Sequence, residues 1–343
     1  MSRSDRSSRR PAFALLIALG LMLIALIALP LALGERPFEL RLLTVIFLYA
    51  TLGHAWNILG GYAGQTSLGH GILFGLGAYC STMLLTHSGL NPWFGMVAGA
   101  ALATVVGVLL GFVGFRLRGH YFVIATLVVA ESVYLLFSAW EWVGAALGLQ
   151  IPIAEEGLRN FQFHRNKAGY YYIAFALLAG TTLLVWWLER SKIGMVLRAI
   201  RDDEDAVRSL GFSPLRYKLI AMALSAAICG AGGVFYAQYV LFIDPPSVLA
   251  LSLSVLIALI PILGGTGTLI GPILGAVVLI PISEYSRIYF SGSGRSVDLL
   301  IYGFLIMVMS VYRPDGLASL FRGTLSWFHF ARAANRRHPQ GSL

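Results

Sequence analysis

The sequence predicts an all-α, polytopic integral membrane protein of about ten transmembrane helices, with a charged cytoplasmic helix between two groups of spans. Three observations carry this fold class. Of the residues, 57% are hydrophobic and only 12% are charged. The apolar residues collect into runs of about twenty, the length that crosses a bilayer core. The longest strongly charged interruption, residues 189–218, holds seven basic and five acidic residues in thirty positions. A soluble domain would need polar surface that the apolar runs lack. Cys80 and Cys229 both fall inside such runs, so no disulfide framework is implied.

In chain order the candidate spans lie near 12–33, 40–59, 69–87, 92–115, 121–140, 170–188, 219–241, 249–263, 268–284 and 298–312. They divide the chain into an N-terminal tail (1–11), a transmembrane domain (12–312) that includes the charged loop 189–218, and a basic tail (313–343). The opening MSRSDRSSRRPAF, with Arg9 and Arg10, has the look of a signal-peptide n-region. The run from Ala12 to Leu33 is longer than a usual signal core and more spans follow, so a retained first helix is expected. The second span leads into NILGGYAGQTSLGHGILFGLGAY, residues 57–79, with seven glycines and with Gln65, Thr66, Ser67 and His70 among them. Non-helical backbone at membrane depth is tolerated only where protein or a watery cavity satisfies it. Small residues also allow close helix packing. The stretch is therefore either a packing seam with a tight turn or a broken helix beside a permeation path, with Gly61, Gly64, Gln65, Ser67, Gly69 and His70 as pathway candidates.

Glu131 lies near the centre of the fifth span. An ionised carboxylate there costs about 2.5–3.5 kcal/mol on insertion scales, so it is expected to face protein or water, to be paired or to be protonated. His70 and His54 read either as hydrogen-bonded structure or as proton relays. Residues 141–169 form the longest outer loop, able to receive a partner or to cap the bundle. KLIAMALSAAICGAGGVFYAQYV, residues 218–240, is rich in small residues on a packing face. A second glycine-rich stretch, 261–276, separates the eighth and ninth spans. Pro261 and Pro272 predict a bend or re-entrant turn there. Glu284 and Arg287 read as an interfacial pair.

The central segment reads as one amphipathic helix over 194–210. Its apolar positions are Met195, Leu197, Ile200, Val207 and Leu210, and Gly211 is its stop. Arg198–Asp202, Arg201–Asp205 and Glu204–Arg208 are spaced as i,i+4 pairs.

A net charge of +9 raises the prospect of nucleic acid, but its distribution argues otherwise. With both termini cytoplasmic, segments 1–11, 60–68, 116–120, 189–218, 264–267 and 313–343 carry 18 of the 25 Lys and Arg residues. This is the positive-inside bias, which orients a membrane protein without binding anything.

None of the three lysines ends a glycine run, so the chain has no phosphate-binding P-loop. Metal-ligand and nucleophile motifs are also missing from the sequence. What remains is a multi-helix pore with a charged helix on the cytoplasmic side, suited to docking a soluble motor.

GYAGQTSLGHG, LRGHYFVIATLVVAE, KIGMVLRAIRDDEDAVRSLGFSPLRYKLIAMALSAAICGAGG, GGTGTLIGPILGA and RPDGLASL, in this order over about residues 40–320, resemble the branched-chain amino acid permease subunits of ABC transporters, LivM type. The family usually carries a Thr-Gly-Gly-like motif after the fifth span, where this chain reads WEWVGAALGLQIP. The departure falls on the outer side and bears on binding-protein contact or substrate. The resemblance implies a permease for branched-chain or other neutral amino acids in a bacterial cytoplasmic membrane. It also implies a second homologous permease, two ATP-binding subunits and an extracytoplasmic solute-binding protein. This chain would then be no enzyme and bind no cofactor, with ATP and Mg used by the partner subunits. The central helix would be the coupling helix, with Arg198, Ile200, Arg201, Asp203, Glu204 and Gly211 as its candidate residues. Permeases for urea or short amides would show the same motifs. From another class, a proton-coupled carrier using Glu131 and His70 would need neither ATP nor partners.

Overall fold

The computed structural model describes residues 25–30, 36–117, 120–163, 167–289, 303–304, 307 and 316–319. The tails 1–11 and 320–343, most of the first span and most of the tenth lie outside the described residues. Between them, eight of the expected spans appear as helices. Helix α1 (Pro37–Trp56) opens with proline at its first turn, where a missing N–H costs nothing, and runs on into a π-helical turn, Asn57–Tyr62. Helix α2 is His70–Ser88, closed by Gly89 in the left-handed region (φ 61°). Helix α3 (Pro92–Gly114) is capped by the Asn91 side chain, which accepts from Trp93 N–H. Helices α4 (His120–Ala139) and α5 (Ala168–Arg190) follow.

The central segment is two helices rather than one. Helix α6 (Lys192–Asp202) is capped by Ser191, and α7 (Glu204–Ser209) by Asp203. Asp203 is extended, and its carboxylate accepts from Asp205 and Ala206 N–H. A short side chain that bonds the next turn's amides starts a new helix more readily than it continues an old one. The chain then forms α8 (Pro214–Val240), α9 (Pro245–Val248), α10 (Leu251–Gly264) and α11 (Gly271–Tyr289). Pro261 sits inside α10; the bend itself falls at 265–270. Glu284 pairs with Arg41 at 3.7 Å, while the side chain of its expected partner Arg287 lies outside the described residues.

Helix α8 is the hub, and glycine lets α2 and α3 approach it at backbone distance. A Cβ at Gly77 would strike the Gly230 backbone, and one at Gly99 would lie 2.8 Å from Val234 and 2.9 Å from the Gly77 carbonyl. Such seams replace the hydrophobic driving force that lipid removes. Helix α1 joins α5, α10 and α11 to this core.

The ends of the helices sort into two groups, as the charge bias predicts. At one end, called inner after that bias, 57–69, 189–218 and 264–268 meet, and Lys218 lies over the Phe115 ring. At the other, the loop 141–163 caps the bundle. Trp93 Nε1 donates to Leu158 O (2.7 Å), and Asn91 Nδ2 to Arg159 O (2.7 Å). Strand β1 (Leu149–Gln150) pairs antiparallel with β2 (Phe242–Ile243). At this outer end Tyr171 and Tyr172 donate to the carbonyls of Leu26 and Ile27.

Candidate functional site

Three glycine-bearing segments far apart in sequence converge at the inner end. The π turn aims the fully buried Asn57 side chain at the bend between α10 and α11. Its Nδ2 donates to Thr268 O (3.0 Å), and its Oδ1 accepts from Gly267 N–H (2.8 Å). One side chain thereby satisfies a donor and an acceptor that the broken helix leaves open. Gly61 is required beside it, since a Cβ there would collide with the Asn57 amide. Gly316 (φ 74°) closes the same junction against Gly265, and Leu317 N–H donates to Leu263 O (3.0 Å).

Arg201, from α6, enters this junction. Its Nη1 donates to Gly61 O (3.0 Å) and lies where a Cβ on Gly267 would sit, 2.7 Å away. Gly64, at φ 68°, lies under the same side chain, and a Cβ there would be 2.7 Å from Arg201 Cγ. One guanidinium thus touches both helix breaks.

From Ala63 to Gly69 the chain returns without helix, and its polar groups are met by protein. Trp56 Nε1 donates to Ser67 O (2.8 Å), Leu68 N–H to Thr126 Oγ1 (3.1 Å), and Gly69 N–H to Ser67 Oγ (3.1 Å). Ser67 and Gly69 line an apolar cavity of about 100 Å³ shared with Ile72, Phe122, Thr126 and Met222. Gln65 is half-exposed and does not line it. His70 lies apart from that cavity, fully buried, with Nε2 2.9 Å from Ser225 Oγ. The Ser225 hydroxyl donates to Ala55 O (2.6 Å), so it accepts from His70, which carries its proton on Nε2. Glu131 is separate again: it is exposed on α4, facing away from the bundle.

The coupling candidates are held against the membrane domain more than expected of a solvated helix. Leu197, Ile200 and Val207 are buried, whereas Met195 and Leu210 are exposed along with Phe212. Arg198 turns back to Glu189, donating to its carbonyl (2.6 Å) and pairing with its carboxylate (3.7 Å), instead of to Asp202. Arg201 pairs with the adjacent Asp202 (3.4 Å) instead of Asp205. Of the three expected i,i+4 pairs, Glu204–Arg208 forms, at 3.2 Å. Glu204 also holds Lys218, a nearly buried ammonium. Gly211 (φ 86°) ends α7 as expected.

The residues that sequence reasoning passed over are Asn57, Thr126, Lys218 and Ser225. Only Asn57 left a signal, as an amide in an apolar run three residues before a glycine pair. Among the described residues no group of three or more His, Cys, Asp or Glu is placed to hold a metal ion.

The family model described as "Branched-chain amino acid transport system / permease component" matches residues 39–310. The chain belongs to that family. It is 31% identical over 328 residues to the high-affinity branched-chain amino acid transport system permease protein LivM of Escherichia coli K12, covering 89% of this chain and 75% of the relative. A probable LivM of Methanocaldococcus jannaschii is 25% identical, over 66% of this chain and 70% of its own length. The autoinducer 2 import system permease protein LsrC of Klebsiella pneumoniae is 27% identical, over 53% of this chain and 51% of the relative. No solved structure matches the chain. Six helices of this permease are long and apolar enough to cross a membrane, and α2 and α11 complete a multi-pass bundle among the described residues.

Proposed function

We propose that this chain is the permease subunit of an ATP-binding-cassette importer that moves branched-chain or other neutral amino acids across a bacterial cytoplasmic membrane. The observation that carries this is the junction at Arg201: a helix on the inner face reaches, through one side chain, both places where membrane helices break. A motor that moves α6 would therefore move Gly61 and Gly267 with it. Met195, Leu210 and Phe212 are apolar and exposed beside α6 and α7, and they suit docking of an ATP-binding subunit. A second homologous permease and an extracytoplasmic solute-binding protein complete the assembly, and ATP with Mg is used in the partner chains. The loop 141–163 is the surface offered to the binding protein, and both termini lie in the cytoplasm in this reading. Gly61, Gly64, Gln65, Ser67, Gly69, His70 and Glu131 remain the pathway candidates. Arg198, Ile200, Arg201, Asp203, Glu204 and Gly211 remain the coupling candidates.

Branched-chain cargo is favoured over urea or short amides because the relatives matched over 89% of this chain bear branched-chain names. A proton-coupled carrier is not favoured, since His70 is closed against Ser225 and Glu131 faces away from it. The test is uptake by the complete importer reconstituted in vesicles, with Arg201→Gln as the variant. ATP hydrolysis should stay within threefold of the parent while leucine uptake falls at least tenfold. Unchanged uptake in Arg201→Gln, or uptake by the permease alone without ATP, would refute the reading.

A further inference from the structure

Helices α3, α4 and α5 are the least covered of the spanning helices. On α3 the exposed face is Phe94, Val97, Leu102, Val105, Leu109 and Val113, wholly apolar and suited to lipid. The middle of α5 exposes Ala176, Ala179, Gly180 and Leu183, again without charge. Helix α4 differs. Tyr121, Ile124, Val128, Glu131 and Leu135 are all exposed, and their spacing of three and four residues places them on one stripe. Glu131 is the twelfth of twenty residues in α4, about 17 Å along a helix of about 30 Å at 1.5 Å per residue. It is the one ionisable side chain exposed at mid-span among the described residues, and Ser132 is exposed next to it. The face that α4 turns inward, through Phe122, Ala125, Thr126 and Val129, lines the apolar cavity; the stripe points the other way.

Hydrocarbon is a poor solvent for a carboxylate, and intramembrane acids face protein or a watery cavity. Among the described residues Glu131 is exposed and packs against no other element. We infer that the Glu131 stripe of α4 is the face that closes against the second permease chain, with Glu131 on the wall of a water-filled path between the two. This rests on the importer reading above and adds to it the surface on which the two permeases meet. On a wall otherwise built of uncharged side chains, a carboxylate would orient a zwitterionic amino acid, facing its ammonium group and repelling its carboxylate.

The experiment uses the complete importer carrying Cys80→Ser and Cys229→Ala in this chain. Single changes are then added on the stripe (Val128→Cys, Glu131→Cys, Leu135→Cys) and on the apolar face of α3 (Val105→Cys, Leu109→Cys). Glu131→Cys should react with a water-soluble, membrane-impermeant thiol reagent at least tenfold faster than Val105→Cys. Val128→Cys or Leu135→Cys should cross-link to the companion permease, whereas the α3 positions should not. Glu131→Gln should assemble normally and lower leucine uptake at least tenfold. An importer that co-purifies and transports with ATP, yet shows no labelling at 131 in any nucleotide state and no cross-link from 128 or 135, overturns this assignment alone. A chain that takes up solute without companion subunits overturns the importer reading, and this assignment with it.

Discussion

Asn57→Ala tests the junction most directly. The substitution removes the donor to Thr268 O and the acceptor for Gly267 N–H, both made by a side chain with no exposed surface. Leaving a buried backbone group unpaired costs about 1–3 kcal/mol. Gly267 and Thr268 are only half-buried, so water recovers part of the loss and the low end applies. Two bonds at about 1 kcal/mol each give roughly 2 kcal/mol, and about 1.4 kcal/mol is tenfold in an equilibrium. The open form of the junction should therefore become about 30-fold more populated. Thiol labelling of Ser67→Cys reports that opening, because residue 67 is 1% exposed and its carbonyl is held by Trp56, the chain neighbour of Asn57. When closing is faster than labelling, the rate follows the open population. Labelling at 67 should rise about 30-fold in Asn57→Ala. Native Cys229, buried in α8, should keep its rate and so separate local opening from unfolding. A change at 67 of less than threefold, or a parallel rise at Cys229, would refute the claim that Asn57 ties the two breaks together.

Other outcomes follow from the same geometry. Gly64→Ala should reduce uptake severalfold, since φ 68° costs a Cβ about 1–2 kcal/mol and the methyl would press on Arg201; Gly69→Ala, whose nearest neighbour is Thr126 at 3.4 Å, should retain more than half. Equal losses in vesicle uptake would contradict this. Lys218→Met should expose the 203–213 segment to limited proteolysis. The buried ammonium anchors Glu204 at the start of α7, and because Glu204 is partly exposed the loss is about 1–2 kcal/mol; an unchanged cleavage rate would place the anchor elsewhere. His70→Gln should leave uptake insensitive to a protonophore, because its imidazole is a hydrogen-bonded structural group. Protonophore sensitivity in the parent that disappears in this variant would restore the proton-carrier reading.

Much of the fold was legible in the sequence because a bilayer imposes rules that act along the chain. The eight expected spans that fall on described residues all appear as helices, six of them long and apolar enough to cross a membrane, and the charged and glycine-rich segments grouped by the charge bias meet at one end. Glycine clusters marked both helix breaks. Gly211 was readable as a helix stop because a left-handed residue is a local requirement. The motifs of the family were readable too, in an order that needs no tertiary knowledge.

Partner choice was a different matter. The i,i+4 spacing offered Asp202 to Arg198 and Asp205 to Arg201, yet Arg198 turned to Glu189 and Arg201 reached Gly61, 140 residues away. Asp203 broke a helix that its apolar pattern would have continued. Asn57 bonded a carbonyl 211 residues distant. Glu131, expected to face protein or water, to be paired or to be protonated, is exposed on the outward face of α4 among the described residues. The reason is energetic. Surface ion pairs on a helix contribute a few tenths of a kcal/mol, too little to hold an arginine against a carbonyl left open by a broken helix. The sequence shows where backbone groups will be left open, and only the packed bundle determines which side chain arrives to satisfy them.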